Sequence, residues 1–137
     1  MKKLIAFDLD GVLINSIKNM EHSWNVVCSQ HNIDVPFSEY KKHIGKPFFD
    51  ILDELGLTDS QQQIKDTYDE TSNMILDEVE IYEGAIETLE EIKRKGYKIA
   101  ICTSKDIVRV KKVIASLILD GKKFPKFDYV CSPKQGL

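Results

Sequence analysis

Three short apolar segments, separated by helical patterns, limit the folds that this chain can adopt. LIAF at residues 4–7, KIAIC at 98–102 and FDYVC at 127–131 have the length and apolar character of buried strands. Helical periodicity fills residues 83–95 and 106–118. Strands that alternate with helices indicate parallel pairing, because a parallel connection needs a crossover segment. The sequence therefore predicts an α/β fold with a parallel sheet, narrower at three strands than the roughly four to six that are usual.

The segment between the first two strands is too long for a single crossover. Residues 16–81 carry three amphipathic patterns with apolar residues at helical spacing. The first two patterns begin near residue 16 and near Pro47, and Thr58 or Asp59 can cap the third. We therefore expect a helical domain at 16–81, inserted into a core formed by 1–15 and 82–137.

Composition excludes several classes of partner. The chain has 137 residues and a net charge of −3, and it contains no block of Lys and Arg, so nothing indicates nucleic-acid binding. No apolar run approaches the length of a membrane helix. Asp8 interrupts the first apolar stretch too early for a signal peptide. We therefore expect a cytoplasmic protein that binds neither membranes nor nucleic acid.

The three cysteines fit the same compartment. Cys28, Cys102 and Cys131 show no CxxC spacing, and a sparse, odd count is typical of a reducing environment. Cys102 and Cys131 each end an apolar strand-like run, which predicts that both are small core residues.

Two carboxylates follow the first strand and should repel each other. Asp8 and Asp10 stand at its carboxyl end, the edge of a parallel sheet where ligands bind, and Gly11 permits a sharp turn after them. Repulsion between them is relieved if a cation binds or if one carboxylate takes a proton. Hard oxygen ligands of this kind suit Mg²⁺. The alternative is a pair of solvated turn aspartates that cap the next helix.

The longer string FDLDGVLINS resembles the first motif of the haloacid dehalogenase (HAD) superfamily, whose members are mostly phosphatases. GAIETLEEIKRKGYKIAICTSK at 84–105 looks like the segment that leads into the second motif of that superfamily, which here would end at Thr103. IGKPFFDILDELGL at 44–57 is similar to the cap segment of phosphoglycolate-phosphatase-like members. The resemblance implies a HAD-like Rossmannoid sheet, shortened at its C-terminal side, with an inserted helical cap.

The resemblance also implies roles for individual residues. Asp8 would attack phosphorus and form an aspartyl-phosphate, and Asp10 would act as general acid and base. Mg²⁺ would bind the Asp8 carboxylate and the Asp10 backbone carbonyl. Thr103 would bind a phosphate oxygen, helped by backbone N–H groups near Gly11 and Ser104. The alternative for Thr103 is the N-cap of the next helix.

Two lysines are further candidates for substrate binding. Lys105 would offset negative charge near the site, and Lys46 in the cap segment would contact a phosphate or carboxylate of the substrate. Because Asp10 is present, phosphoryl transfer is favoured over dehalogenation. A phosphotransferase resembling β-phosphoglucomutase uses the same pair and stays open as an alternative.

The end of the chain departs from the family pattern. A lysine in a KPxP-like context and an acidic motif such as GDxxxD are expected after the third strand, and the sequence contains no GD dipeptide. Lys134 is the late lysine nearest the expected place, and we interpret it as a tail residue. A missing strand beside the first one predicts an exposed apolar edge. The chain would then be a fragment, a shortened and weakly active relative, or one copy of a homodimer paired through that edge.

The function predicted from the sequence is Mg²⁺-dependent hydrolysis of a small phosphorylated metabolite, of the phosphoglycolate or sugar-phosphate type. The competing hypothesis is a non-catalytic HAD-like module that binds a phosphorylated ligand or a partner protein. The sequence does not identify the substrate.

Overall fold

The computed structural model describes residues 3–132 of the chain. The elements in chain order are β1 (Leu4–Phe7), β2 (Ile14–Asn15), α1 (Ile17–His31), α2 (Phe37–Lys41), α3 (Phe48–Glu54), α4 (Gln61–Met74), a 3-10 helix (Leu76–Glu78), β3 (Glu80–Ile81), α5 (Ala85–Arg94), β4 (Lys98–Cys102), α6 (Ile107–Ser116) and β5 (Tyr129–Cys131). No helix within this range is long and apolar enough to cross a membrane. Lys134 lies outside the described residues.

The main sheet has the strand order β1-β4-β5, and both pairs are parallel. Leu4 pairs with Lys98 and Phe7 with Ile101, so β1 and β4 end at the same edge of the sheet. This confirms the α/β class and the parallel pairing. Within residues 3–132, β1 has β4 as its partner on one side and forms the edge of the sheet on the other, as the sequence predicts.

The two faces of this sheet differ in exposure. Ile99 and Ile101 point to one face and are fully buried, and α5 packs against their strand. Leu4 and Tyr129 belong to the opposite face, because side chains alternate along a strand and paired residues share a face. They are 53% and 51% exposed. The sheet therefore has one covered face and one face that is largely open among the described residues.

The predicted burial of two cysteines is wrong. Cys102 and Cys131 are both exposed. They occupy the open face, at the carboxyl ends of β4 and β5. The apolar run that each cysteine ends indicated burial, but a run of this kind does not say which face of a strand is covered.

A second, two-stranded sheet pairs β2 with β3 in antiparallel fashion, Ile14 with Ile81 and Asn15 with Glu80. Strands of two residues carry no periodicity, so the sequence does not predict them. Contacts divide the chain into two compact units. One joins the residues up to Ser16 with those from Val79 onward, and the other is Ile17–Glu78. These bounds differ by one to three residues from the expected 1–15, 82–137 and 16–81.

The helical unit has its own aromatic core. The Trp24 ring stacks on Tyr40 with 4.7 Å between centroids, and its indole N–H donates to the Val35 carbonyl at 2.8 Å. Tyr68 of α4 stacks on the same Tyr40 at 5.9 Å. Burial of several aromatic rings supplies much of the apolar surface that a small unit needs.

This unit has four α-helices where the sequence predicts three. The additional helix α2 follows directly after Pro36, because a proline that breaks one helix is well tolerated at the start of the next. The N-cap predicted for α4, Thr58 or Asp59, is also wrong. Ser60 precedes the helix in a left-handed conformation, with φ of 57° and no side-chain cap.

A polar bridge holds α1 against the end of α4. The Asn19 amide donates to the carbonyls of Ser72 and Ile75, both at 3.0 Å. The Ser72 hydroxyl donates to the Asn19 side-chain oxygen. Carbonyls in the last turn of a helix have no partner within it, so Asn19 supplies a cap for α4 from a neighbouring helix.

Candidate active site

The chain turns sharply after β1. The N–H groups of Leu13 and Ile14 both donate to the Leu9 carbonyl, at 3.0 and 3.1 Å. Gly11 lies inside this turn with φ of 83°, and its N–H donates to the Ile14 carbonyl at 2.8 Å. A side chain at such a φ is strained, so the glycine permits the reversal that leaves both aspartates at the end of the sheet.

Asp8 is exposed at the carboxyl end of β1. The N–H of Leu9 donates to Asp8 Oδ1 at 2.7 Å. This bond to the adjacent backbone fixes the direction of the carboxylate. A carboxylate nucleophile must be accessible and oriented, and Asp8 meets both conditions.

Asp10 is held by two side chains. The Ser16 hydroxyl donates to Asp10 Oδ1 at 2.6 Å, and Lys105 Nζ lies 3.4 Å from Asp10 Oδ2. The side chains of Lys105 and Asp10 are 15% and 18% exposed. The lysine ammonium therefore places positive charge beside the Asp10 carboxylate.

Thr103 begins the turn that follows β4. Its N–H donates to the Cys131 carbonyl at 3.0 Å, and its hydroxyl oxygen accepts from the Lys105 N–H at 3.1 Å. The N-cap of α6 is Asp106, whose side chain accepts from the Arg109 N–H at 3.0 Å. The alternative interpretation of Thr103 as that cap is therefore wrong.

Six of the seven predicted site residues lie at one edge of the sheet, Gly11 and Ser104 among them. Asp8 and Asp10 follow β1, whereas Thr103 and Lys105 follow β4, and the parallel register of the two strands brings these ends together. Ser104 lies in the same turn and is partly buried. The ion pair between Lys105 and Asp10 is direct evidence that the two turns meet.

Lys46 belongs to the helical unit. Its ammonium lies 3.4 Å from Glu54 Oε1, and both side chains are about half exposed. Its expected contact with substrate stays a prediction.

Sequence reasoning missed Ser16, which is buried and oriented toward Asp10. A serine directly before a helical pattern is the usual signal of an N-cap. That signal marks the residue as one that needs a partner, but it does not identify a carboxylate six positions earlier as that partner.

The site offers two protein oxygens to a hard cation, the Asp8 carboxylate and the Asp10 carbonyl. Within residues 3–132, no three His, Cys, Asp or Glu side chains are grouped as metal ligands. Mg²⁺ commonly binds through one or two carboxylates and completes its shell with water and substrate phosphate. The Asp8 carboxylate and the Asp10 carbonyl are donors of this type.

Comparison with known sequences identifies a family. A family model described as haloacid dehalogenase-like hydrolase matches residues 5–132. A phosphoglycolate phosphatase of Haemophilus influenzae is 28% identical over an alignment of 138 positions. That alignment covers 86% of this chain and 58% of the relative. The pyrophosphatase PpaX of Bacillus cereus is 31% identical over an alignment of 137 positions, which covers 90% of this chain and 54% of the relative. The chain thus spans little more than half the length of these relatives.

Solved structures show the same fold. A predicted phosphatase from Clostridium acetobutylicum superposes with a TM-score of 0.80 at 23% identity, covering 96% of this chain and 61% of that one. CbbY from Rhodobacter sphaeroides, solved in complex with phosphate, gives a TM-score of 0.77 at 16% identity and covers 96% of this chain and 64% of that one. The family model matches nearly the whole chain, and this chain therefore belongs to the haloacid dehalogenase-like hydrolase family.

Proposed function

We propose that this chain carries the nucleophile and the phosphate-binding turn of a phosphatase that hydrolyses a small phosphate monoester through an aspartyl-phosphate. The observation that carries the proposal is the grouping at the end of β1 and β4. An exposed Asp8 lies beside an Asp10 that Ser16 and Lys105 hold in place. Family membership supports the same reaction class.

In this proposal, the Asp8 carboxylate attacks phosphorus and the ester oxygen leaves. Asp10 gives that oxygen a proton and later takes a proton from the water that hydrolyses the aspartyl-phosphate. The bonds from Ser16 and Lys105 fix Asp10 in one orientation, which a residue with two successive proton transfers requires. Thr103 binds a phosphate oxygen at the neighbouring strand end.

A divalent cation is part of the proposal. The Asp8 carboxylate and the Asp10 backbone carbonyl would hold Mg²⁺, which supplies charge stabilisation to a phosphoryl group when bound. The Lys105 ammonium contributes positive charge at the same place. With two protein oxygens as ligands, we expect weak Mg²⁺ binding without substrate and stronger binding when a phosphate shares the ion.

For the substrate, we propose a small phosphorylated metabolite of the phosphoglycolate or sugar-phosphate type. The H. influenzae relative is named a phosphoglycolate phosphatase. Lys46 would contribute to substrate choice through a phosphate or carboxylate group. A cytoplasmic location belongs to the same proposal, and the three free cysteines are consistent with it.

The test is phosphate release from a panel of small phosphate esters, with and without Mg²⁺, by the wild-type chain and by Asp8→Asn. Asp59→Asn is the matched control, because Asp59 is exposed in the connection before α4. We expect turnover that requires both Mg²⁺ and Asp8 and that Asp59→Asn retains. Equal turnover by Asp8→Asn would rule out the nucleophile, whereas transfer of phosphate to another sugar phosphate would favour the phosphotransferase alternative.

One observation favours a second candidate, a non-catalytic module that assembles through its sheet. Leu4 is 53% exposed on the edge strand β1, and Ala6 on the same strand is also exposed. We propose that a second copy pairs with this edge. Light scattering on a size-exclusion column would give a dimer mass for the wild type and a monomer mass for Leu4→Lys. A wild-type monomer at every concentration would exclude the edge-paired dimer.

A further inference from the structure

Cys102 and Cys131 form a pair on neighbouring strands. They are partners in the parallel register of β4 and β5, and both are exposed. Paired residues of parallel strands project from the same face, so the two thiols project side by side from the open face of the sheet. Neither thiol has a role in the proposed hydrolysis.

The thiol of Cys131 is near enough to raise the pKa of Cys102 above its ordinary value. Cys28, the other cysteine, is partly buried in the helical unit, where its thiol donates to the Val35 carbonyl at 3.4 Å. The chain thus has one dithiol and one isolated thiol.

The dithiol borders the phosphate-binding turn. Cys102 directly precedes Thr103, and the Cys131 carbonyl accepts the Thr103 N–H at 3.0 Å. Asp8, at the end of the adjacent strand, is close enough for its charge to act on Cys102. A group bound to both sulfurs would therefore lie beside the proposed nucleophile.

We propose that Cys102 and Cys131 form a chelating site for one soft, thiol-binding ion per chain, and that the bound ion blocks the adjacent phosphate site. Soft thiolate ligands select ions such as Cu(I) over hard cations such as Mg²⁺. Within residues 3–132, no third His, Cys, Asp or Glu completes a cluster with them. The site therefore suits ions that bind two sulfur ligands. It does not suit structural Zn²⁺, which binds four protein ligands.

The chemistry balances without an oxidant. A trivalent arsenical with an As=O group condenses with two thiols, so that two As–S bonds form and the oxygen leaves as water with both thiol protons. Monovalent copper displaces the same two protons into solvent. Neither reaction changes the oxidation state of sulfur.

The test titrates the full chain with phenylarsine oxide and counts the remaining free thiols with an aromatic disulfide reagent. The wild type has three thiols, and we expect one equivalent of arsenical to leave a single reactive thiol. In the matched control Cys28→Ser, one equivalent should remove both remaining thiols. Cys102→Ser and Cys131→Ser each lack the pair, so both should lose at least tenfold in affinity for the arsenical. Cu(I), supplied from a competing chelator, should show the same pattern.

Two results would overturn this proposal. One is binding by Cys102→Ser or Cys131→Ser that equals binding by Cys28→Ser. The other is a mass in light scattering that doubles relative to the untreated chain at one equivalent, which would mean that the arsenical bridges two chains. Neither readout depends on phosphatase activity, so failure of the proposed hydrolysis would leave this test intact. In an active chain, one equivalent should abolish turnover, and a small dithiol should restore it.

Discussion

Replacement of Asn19 by alanine should destabilise the helical unit strongly. The substitution removes the donor to the carbonyls of Ser72 and Ile75 and the acceptor of the Ser72 hydroxyl. Asn19 is 2% exposed and Ser72 is 0% exposed, so water does not readily replace the lost bonds. At about 1 kcal/mol for each of the three hydrogen bonds lost, the free energy of unfolding should fall by about 3 kcal/mol.

Urea denaturation measures this change. Trp24 is the single tryptophan and lies in the core of the helical unit, so its fluorescence reports on the unfolding of that unit. The control is Asn25→Ala, an exposed asparagine on the same helix, which should change stability by about 0.5 kcal/mol or less. A loss for Asn19→Ala that equals that of Asn25→Ala would refute the assignment of Asn19 as the cap of α4.

The remaining predictions concern the core unit. Ser16→Ala should lower kcat about tenfold with little change in KM, because the loss of one hydrogen bond of about 1.4 kcal/mol frees Asp10 from its orientation. Lys105→Gln removes the ion pair with Asp10 and should lower kcat/KM by about tenfold or more. The dependence of kcat/KM on ionic strength should also become weaker. The Ile99 N–H donates to Asp128 Oδ2 and holds the pKa of Asp128 below its ordinary value. The ionised Asp128 therefore stabilises the fold at neutral pH, and this contribution is lost as the pH falls through the lowered pKa. Asp128→Asn should remove that part of the acid sensitivity in thermal unfolding.

Exposed residues of the same types serve as controls. Ser29→Ala and Lys111→Gln should leave the kinetic constants unchanged, and Asp120→Asn should leave the acid sensitivity unchanged. Equal effects in the members of any such pair would contradict the corresponding contact.

The parallel sheet could be predicted from the sequence, and so could the position of the candidate site residues at its edge. Apolar runs mark β1, β4 and β5, and carboxylates that follow a buried strand mark the ligand-binding edge. Lys105 lies near the site, as expected, and pairs with Asp10, whereas its role toward substrate stays a prediction. In these cases a local pattern carries the information.

The features that could not be predicted depend on contacts between distant segments. Asn19 has a partner more than fifty positions away, and nothing near it in the chain indicates that partner. The exposure of Cys102 and Cys131 depends on what covers one face of the sheet, which a single apolar run does not report. Ser16 was missed for a related reason, because its helix-start pattern does not identify Asp10 as its acceptor.

The most direct test of the central claim traps the aspartyl-phosphate during turnover. Acid quench of the chain during turnover, followed by borohydride reduction and peptide mass spectrometry, converts a phosphorylated aspartate into homoserine. We predict homoserine at position 8 in the wild type and none in Asp8→Asn, with Asp10 unmodified. An active chain that shows no modification at Asp8, or shows it at Asp10, would contradict the account.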